Sequence, residues 1–93
     1  MTKKEYDLIS IKVKLFASAK EIAAGNDEIT LEFTKNNIIT LTDIRKRILK
    51  IYPKLEQIPF LFAINHKIAD EFATTATITQ FDEVAVLPPI SGG

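Results

Sequence analysis

The sequence predicts an α+β fold, a mixed sheet with one main helix packed on one face, and three observations predict it. Near the start, apolar and polar residues alternate strictly. A central segment repeats its apolar residues at three- and four-residue steps. A short apolar run then leads directly into Pro88-Pro89. At 93 residues the chain makes one domain, large enough for a single modest core without metals or disulfides. It divides into a flexible N-terminal extension (1–8), a globular domain (9–87) and an extended tail (88–93).

The elements follow in order. Residues 1–8 are mostly polar and form a loose lead-in. From Ile9 to Phe16, Ile9, Ile11, Val13 and Leu15 take one face, and Ser10, Lys12, Lys14 and Phe16 the other. That is a half-buried strand. Phe16 falls on the lysine face, where it either covers a second small cluster or is offered to a partner. Ser18 to Ala24 reads as a brief helix with Ser18 as N-cap and Gly25 as stop. Glu28 to Phe33 alternates again with Ile29, Leu31 and Phe33 inward, a second strand antiparallel to the first.

Thr40 caps the main helix, and Asp43 gives an approximate capping box that suits the positive end of the dipole. Leu41, Ile44, Ile48, Ile51 and Tyr52 form its apolar stripe; Arg45, Lys46, Arg47 and Lys50 form a solvated face rather than a phosphate site. Pro53 ends it. Phe60 to Asn65 suits a central strand covered on at least one face. Asn65-His66 is a turn, and Lys67 to Ala69 a short return strand. Ile78 and Phe81 read as plugs, and Glu83 to Leu87 as the last strand. The right-handed crossover rule sets that strand beside the first, parallel to it, at the centre of the sheet. This is the ubiquitin-like β-grasp arrangement.

Composition narrows the function. Hydrophobic residues make up 46% and charged residues 26%, ordinary globular usage. Twelve basic residues balance twelve acidic ones with no basic stripe, which argues against nucleic acid as partner. The apolar runs are too short to cross a bilayer and no signal pattern opens the chain, so no membrane role and a cytoplasmic location are expected. The absence of cysteine excludes disulfides and thiolate chemistry, and one histidine, His66, argues against a metal centre or a histidine triad. A carrier or binding module is expected, with no cofactor and no metal bound by this chain.

The ending Pro88-Pro89-Ile90-Ser91-Gly92-Gly93 points to the chemistry. Prolines stiffen the exit from the strand, and two glycines make a slim tip ending in a carboxylate that fits a narrow slot on another protein. From Leu87 to Gly93 the tail reaches roughly 20 Å at about 3.3 Å per residue.

Four segments carry a resemblance: Ile11-Lys12-Val13-Lys14-Leu15-Phe16-Ala17, the Thr40-to-Tyr52 helix with Pro53, Ala63-Ile64-Asn65, and Asp82-Glu83-Val84-Ala85-Val86-Leu87-Pro88-Pro89-Ile90-Ser91-Gly92-Gly93. Over about residues 9 to 93 the chain resembles the small subunits of molybdopterin synthase, sulfur carriers of the ubiquitin-like β-grasp family. The resemblance implies a non-catalytic subunit of an enzyme complex whose C-terminal glycine, Gly93, is adenylated and then thiocarboxylated, with Gly92 giving clearance. The thiocarboxylate sulfur goes to precursor Z (cyclic pyranopterin monophosphate) to form the molybdopterin dithiolene of the molybdenum cofactor. It implies two partners: the large catalytic subunit, in a heterotetramer, and an E1-like adenylyltransferase that uses ATP and Mg. It assigns partner contact to Phe16, Ile68 and Leu87, and to Pro88, Pro89, Ile90 and Ser91 of the tail.

Three features depart from the family pattern. The N-terminal extension is long, Phe81 stands where the family commonly has a turn glycine, and Ala69 to Thr79 matches only loosely. Two alternatives keep the terminal glycines: a sulfur carrier for thiamine synthesis or tRNA thiolation, and a protein-conjugating modifier that forms an amide with a lysine.

Overall fold

The structure, a computed structural model, describes residues 7–35, 37–69 and 75–89. Strand β1 (Leu8–Leu15) begins within the lead-in segment, since Leu8 pairs with Thr34 and the Lys35 amide donates to the Asp7 carbonyl. Its alternation holds: Ile11, Val13 and Leu15 are buried, while Ser10, Lys12 and Lys14 are exposed. Strand β2 (Glu28–Thr34) runs antiparallel to it with Ile11 opposite Leu31 and Val13 opposite Ile29. On the other face Lys14 lies opposite Glu28, a favourable cross-strand charge pair.

Helix α1 (Ala17–Ile22) starts two residues earlier than the expected N-cap, Ser18, implies. Phe16, not Ser18, holds the N-cap position, in extended backbone with no side-chain capping bond. Ala17 then sits at φ 52°, a left-handed turn that swings the chain out of β1. The helix buries Ala19, whose small side chain lets the backbone sit close to the core. Gly25, at φ 89°, donates its amide to the Lys20 carbonyl at 2.9 Å and closes the turn after the helix as expected.

Helix α2 (Leu41–Ile51) opens on a full capping box. The Thr40 hydroxyl accepts from the Asp43 amide at 3.3 Å, and the Asp43 carboxylate accepts from the Thr40 amide at 2.9 Å. Donation from that amide, then from the Thr40 hydroxyl, holds the Asp43 carboxyl below its ordinary range. Leu41, Ile44 and Ile48 are buried, but Ile51 is exposed, which corrects the expected stripe. Leu55 replaces it: Pro53 stops the helix, and the chain tightens into a 3-10 turn (Pro53–Gln57) that drives Leu55 fully into the core.

On the polar side of α2 two cations are occupied. The Arg47 guanidinium lies 4.3 Å from the Phe33 ring centre and donates to the Glu32 carbonyl at 2.7 Å, and Arg45 lies 5.0 Å from the Phe60 ring centre. They lay their planes on aromatic rings at the rim of the core, and Lys46 and Lys50 remain exposed.

Strands β3 (Leu61–Ile64) and β4 (Lys67–Ala69) form a hairpin through Asn65 and His66, both at positive φ. Strand β5 (Val84–Leu87) pairs parallel with β1 and antiparallel with β3, giving the order β2-β1-β5-β3-β4. The last strand is therefore central and parallel to the first, and β3 lies one place in from the β4 edge. Val84 and Val86 point into the core beside Val13 and Leu15, under α2. This is the ubiquitin-like β-grasp.

Ile78 is buried as expected, and its amide donates to the Ile39 carbonyl just ahead of α2. Phe81 corrects the other half of that expectation: it is 87% exposed. It stands at the tip of a turn tied off beneath it, where the Thr79 amide and hydroxyl both donate to the Asp82 carboxylate, at 2.7 and 3.1 Å. Among the described residues no helix is long and apolar enough to cross a membrane.

Candidate functional site

Alternation along the strands sends every second residue to the sheet face that α2 does not cover. On β5 those residues are Ala85 and Leu87; on β3, Leu61 and Ala63, directly opposite Leu87 and Ala85. On β4, Ile68 lies opposite Ala63, and on β1, Lys14 lies opposite Ala85. Phe16 follows where β1 ends. The open face is thus divided. Its β5-β3-β4 half is apolar, and its β1-β2 half carries Ser10, Lys12, Lys14, Glu28, Thr30 and Glu32.

The three apolar residues singled out in the sequence come together here. Phe16, Ile68 and Leu87 line one open hollow of about 360 Å³, with Ala63 and Ala85 as its floor and Lys14, His66 and Glu83 along one side. Phe16 is 46% exposed, Ile68 63% exposed, and Leu87 half-buried. Large apolar side chains grouped on an open face cost solvation until something covers them. The grouping leaves Phe16 half-exposed beside Ile68 and Leu87.

A second groove of about 440 Å³ adjoins the first through Ile68 and Leu87 and runs along Pro59, Phe60, Leu61, Pro88 and Pro89. It lies where β5 gives way to the tail. Pro88 is buried and Pro89 exposed, so the chain leaves the sheet at the edge of the apolar half. Ile90, Ser91, Gly92 and Gly93 lie outside the described residues.

Glu83, just before β5, joins the two halves of the face. One carboxylate oxygen is 3.5 Å from Lys14 Nζ and the other 3.3 Å from His66 Nε2. His66 is exposed at the hairpin turn, as expected. Asn65 fixes this corner more firmly. Its side-chain amide donates to Asp82 Oδ1 at 2.8 Å, while its side-chain carbonyl accepts the Glu83 amide at 2.8 Å. Its own amide donates to the Glu83 carbonyl at 2.7 Å. Donation from Asn65, then from the Thr79 amide, holds the Asp82 carboxyl below its ordinary range. One residue thus pins the β3–β4 turn to the start of β5 and fixes Ile68 and Leu87 relative to each other.

Leu61 and the Asn65–Asp82 tie were not singled out from the sequence. Leu61 lies in the uniformly apolar run Phe60 to Ile64, which has no alternation to assign faces; only pairing with β5 does so. Asn65 and Asp82 are 17 residues apart, beyond any local pattern.

The sequence profile of the ThiS family matches residues 13–93. The chain belongs to the ThiS family. It is 36% identical over 88 residues to the molybdopterin synthase sulfur carrier subunit of Arabidopsis thaliana, covering 91% of this chain and 84% of that one. It is 34% identical over 88 residues to the protein of the same name from Caenorhabditis elegans, covering 92% of this chain and all (100%) of that one. Among solved structures, small archaeal modifier protein 1 from Methanosarcina acetivorans superposes with a TM-score of 0.70 at 26% identity, over 92% of this chain and 98% of that one. A chain from the complex of subunits 1 and 2 of molybdopterin-converting factor from Helicobacter pylori shares the fold, with a TM-score of 0.61 at 20% identity over 91% and 100% of the two chains.

Proposed function

We propose that this chain is the sulfur carrier subunit of a molybdopterin synthase, itself non-catalytic, with Gly93 as the sulfur-bearing residue. One observation carries the reading: Phe16, Ile68 and Leu87 surround a single hollow at the root of a tail through which the family match extends. The globular part grips a large catalytic subunit with this half-face, and Pro88 to Ser91 carry the end of the chain into that subunit's pocket. The relatives' names and the shared fold of the Helicobacter pylori complex support this choice of partner.

The chemistry at Gly93 follows from its carboxylate. A carboxylate is a poor acyl donor because oxide is a poor leaving group. An E1-like adenylyltransferase attaches AMP from ATP, with Mg, and releases pyrophosphate. Sulfide delivered by a sulfur donor then attacks the acyl carbon and expels AMP, leaving a thiocarboxylate. Its sulfur attacks a side-chain carbon of precursor Z and displaces that carbon's oxygen substituent. Hydrolysis of the resulting thioester leaves sulfur on the pterin side chain and restores the carboxylate, and a second charged carrier supplies the other dithiolene sulfur. Gly92 keeps the approach to that carbon clear. No step needs a cysteine, metal or cofactor held by this chain. The carrier works in the cytoplasm, in a heterotetramer of two small and two large subunits.

Intact mass after co-expression with the activating enzyme and a sulfur source tests the reading. The expected product has one oxygen replaced by sulfur, absent when Gly93 is deleted or Gly92 is made Phe, with melting unchanged in both variants. An amide-linked protein adduct would instead indicate a conjugating modifier, and a sulfurated chain that binds no synthase large subunit would indicate a carrier for another pathway.

A further inference from the structure

Beside the hollow, across the Lys14–Glu83 pair, lies a second depression of about 290 Å³ on the charged half of the open face. Two lysines, Lys12 and Lys14, and three carboxylates, Glu28, Asp82 and Glu83, line it together with Phe81. Of the large apolar side chains described, Phe81 is the most exposed, at 87%. A lone exposed aromatic on a loose loop needs no explanation, but this one is neither lone nor loose. Lys14 and Glu83 line both depressions, so Phe81 borders the apolar half-face across their ion pair. Its amide donates to the Thr79 hydroxyl at 3.2 Å, Thr79 is tied twice to Asp82, and Asp82 is tied to Asn65. The ring is therefore held outward by a braced turn whose backbone is already ordered, which lowers the entropy lost when a partner covers it. Ile38, similarly exposed, lies by the polar side of α2 and shares no lining residue with this face.

We infer that Phe81 is a second anchor for the large subunit, seated in an apolar socket on that protein. The inference rests on the docking face proposed above and extends it across the ion pair onto β1. The occupant's chemistry follows from the ring: an exposed aromatic beside a depression of mixed charge matches an apolar pocket with a polar rim of both signs. Two separated anchors also fix the rotation of the carrier about the first, and that rotation sets where the tail points.

The test is calorimetric titration of the cognate large subunit with parent chain, Phe81→Ala, Lys12→Glu and Phe16→Asp, alongside thermal melting. Phe81→Ala is expected to raise Kd at least tenfold with the melting temperature unchanged, since the ring is 87% exposed in the free chain. Lys12→Glu, which leaves the ring in place, is expected to change Kd less than Phe81→Ala does; a larger effect overturns the anchor. An unchanged Kd for Phe81→Ala while Phe16→Asp weakens binding overturns the second anchor and leaves the docking face standing. Unchanged Kd for both overturns the docking face and the anchor together. Weakened binding of Phe81→Ala to the activating enzyme alone, with the large subunit unaffected, also overturns the assignment.

Discussion

Asn65→Ala removes more than its surface position suggests. Two side-chain hydrogen bonds disappear, one to the Asp82 carboxylate and one from the Glu83 amide, each 2.8 Å long. Both are solvent-accessible, so each contributes about 0.5–1.5 kcal/mol net. Alanine must also occupy φ 52°, which costs roughly 1 kcal/mol more for a residue without a side chain that bonds locally. The expected loss is about 2–4 kcal/mol, read as a lower urea midpoint at unchanged slope. Asn65→Gly separates the two parts: it loses the same bonds but accepts the backbone angle, so it should lie roughly 1 kcal/mol above alanine. Both should weaken large-subunit binding beyond the loss of folded fraction, because the tie fixes Ile68 against Leu87. A loss below about 0.5 kcal/mol for Asn65→Ala, or glycine less stable than alanine, would refute the account of this corner.

Two further expectations concern stability. Ile48→Ala, at a fully buried site under α2, should cost about 2–5 kcal/mol, whereas exposed Ile51→Ala should stay within about 0.5 kcal/mol; denaturant titration of the pair checks the corrected stripe. The Asp82 carboxyl lies below its ordinary 3.8 when folded, so its contribution is present above that value and is lost as pH falls through the folded one. Melting temperature should therefore decline on acidification below about pH 4, and Asp82→Asn should show a shallower acid decline from a lower neutral-pH starting point. An acid limb identical to the parent's would contradict this.

How much was legible depended on whether a signal was local. β1 and β2 alternate cleanly, and the Thr40–Asp43 box lies within four residues, so strand faces and the start of α2 follow from the chain directly. The two corrected core assignments both need the third dimension. Ile51 continues the helical period, yet Pro53 ends the helix so soon that Leu55 arrives from the next turn and takes the space. Phe81 follows Ile78 at helical spacing, but no helix forms there. The Asp82 carboxylate captures Thr79 and turns the chain outward. At the site, Phe16 was visible because it broke a pattern, and Leu87 because Val84 and Val86 claimed the other face. Leu61 broke no pattern, since every neighbour in its run is apolar.

The fold keeps stability and docking on opposite sides of the same strands. On β5, Val84 and Val86 are fully buried against β1 and α2, while Ala85 and Leu87 turn to the open face with the tail beyond them. Period two makes this separation automatic: a substitution at Leu87 leaves Val86 packed, and one at Val86 leaves Leu87 presented. Under the proposed function, the carrier is recognised first by an enzyme that charges its end and then by one that discharges it. Such a chain gains from a recognition face that can change residue by residue without disturbing the core. The small alanines 63 and 85 have the same effect in reverse, since they form a floor low enough for a partner's side chain to sit between Phe16, Ile68 and Leu87. Replacing Ala85 with Leu would fill that floor, so it should block the large subunit while leaving the Val84–Val86 side of the strand, and hence the melting transition, almost untouched.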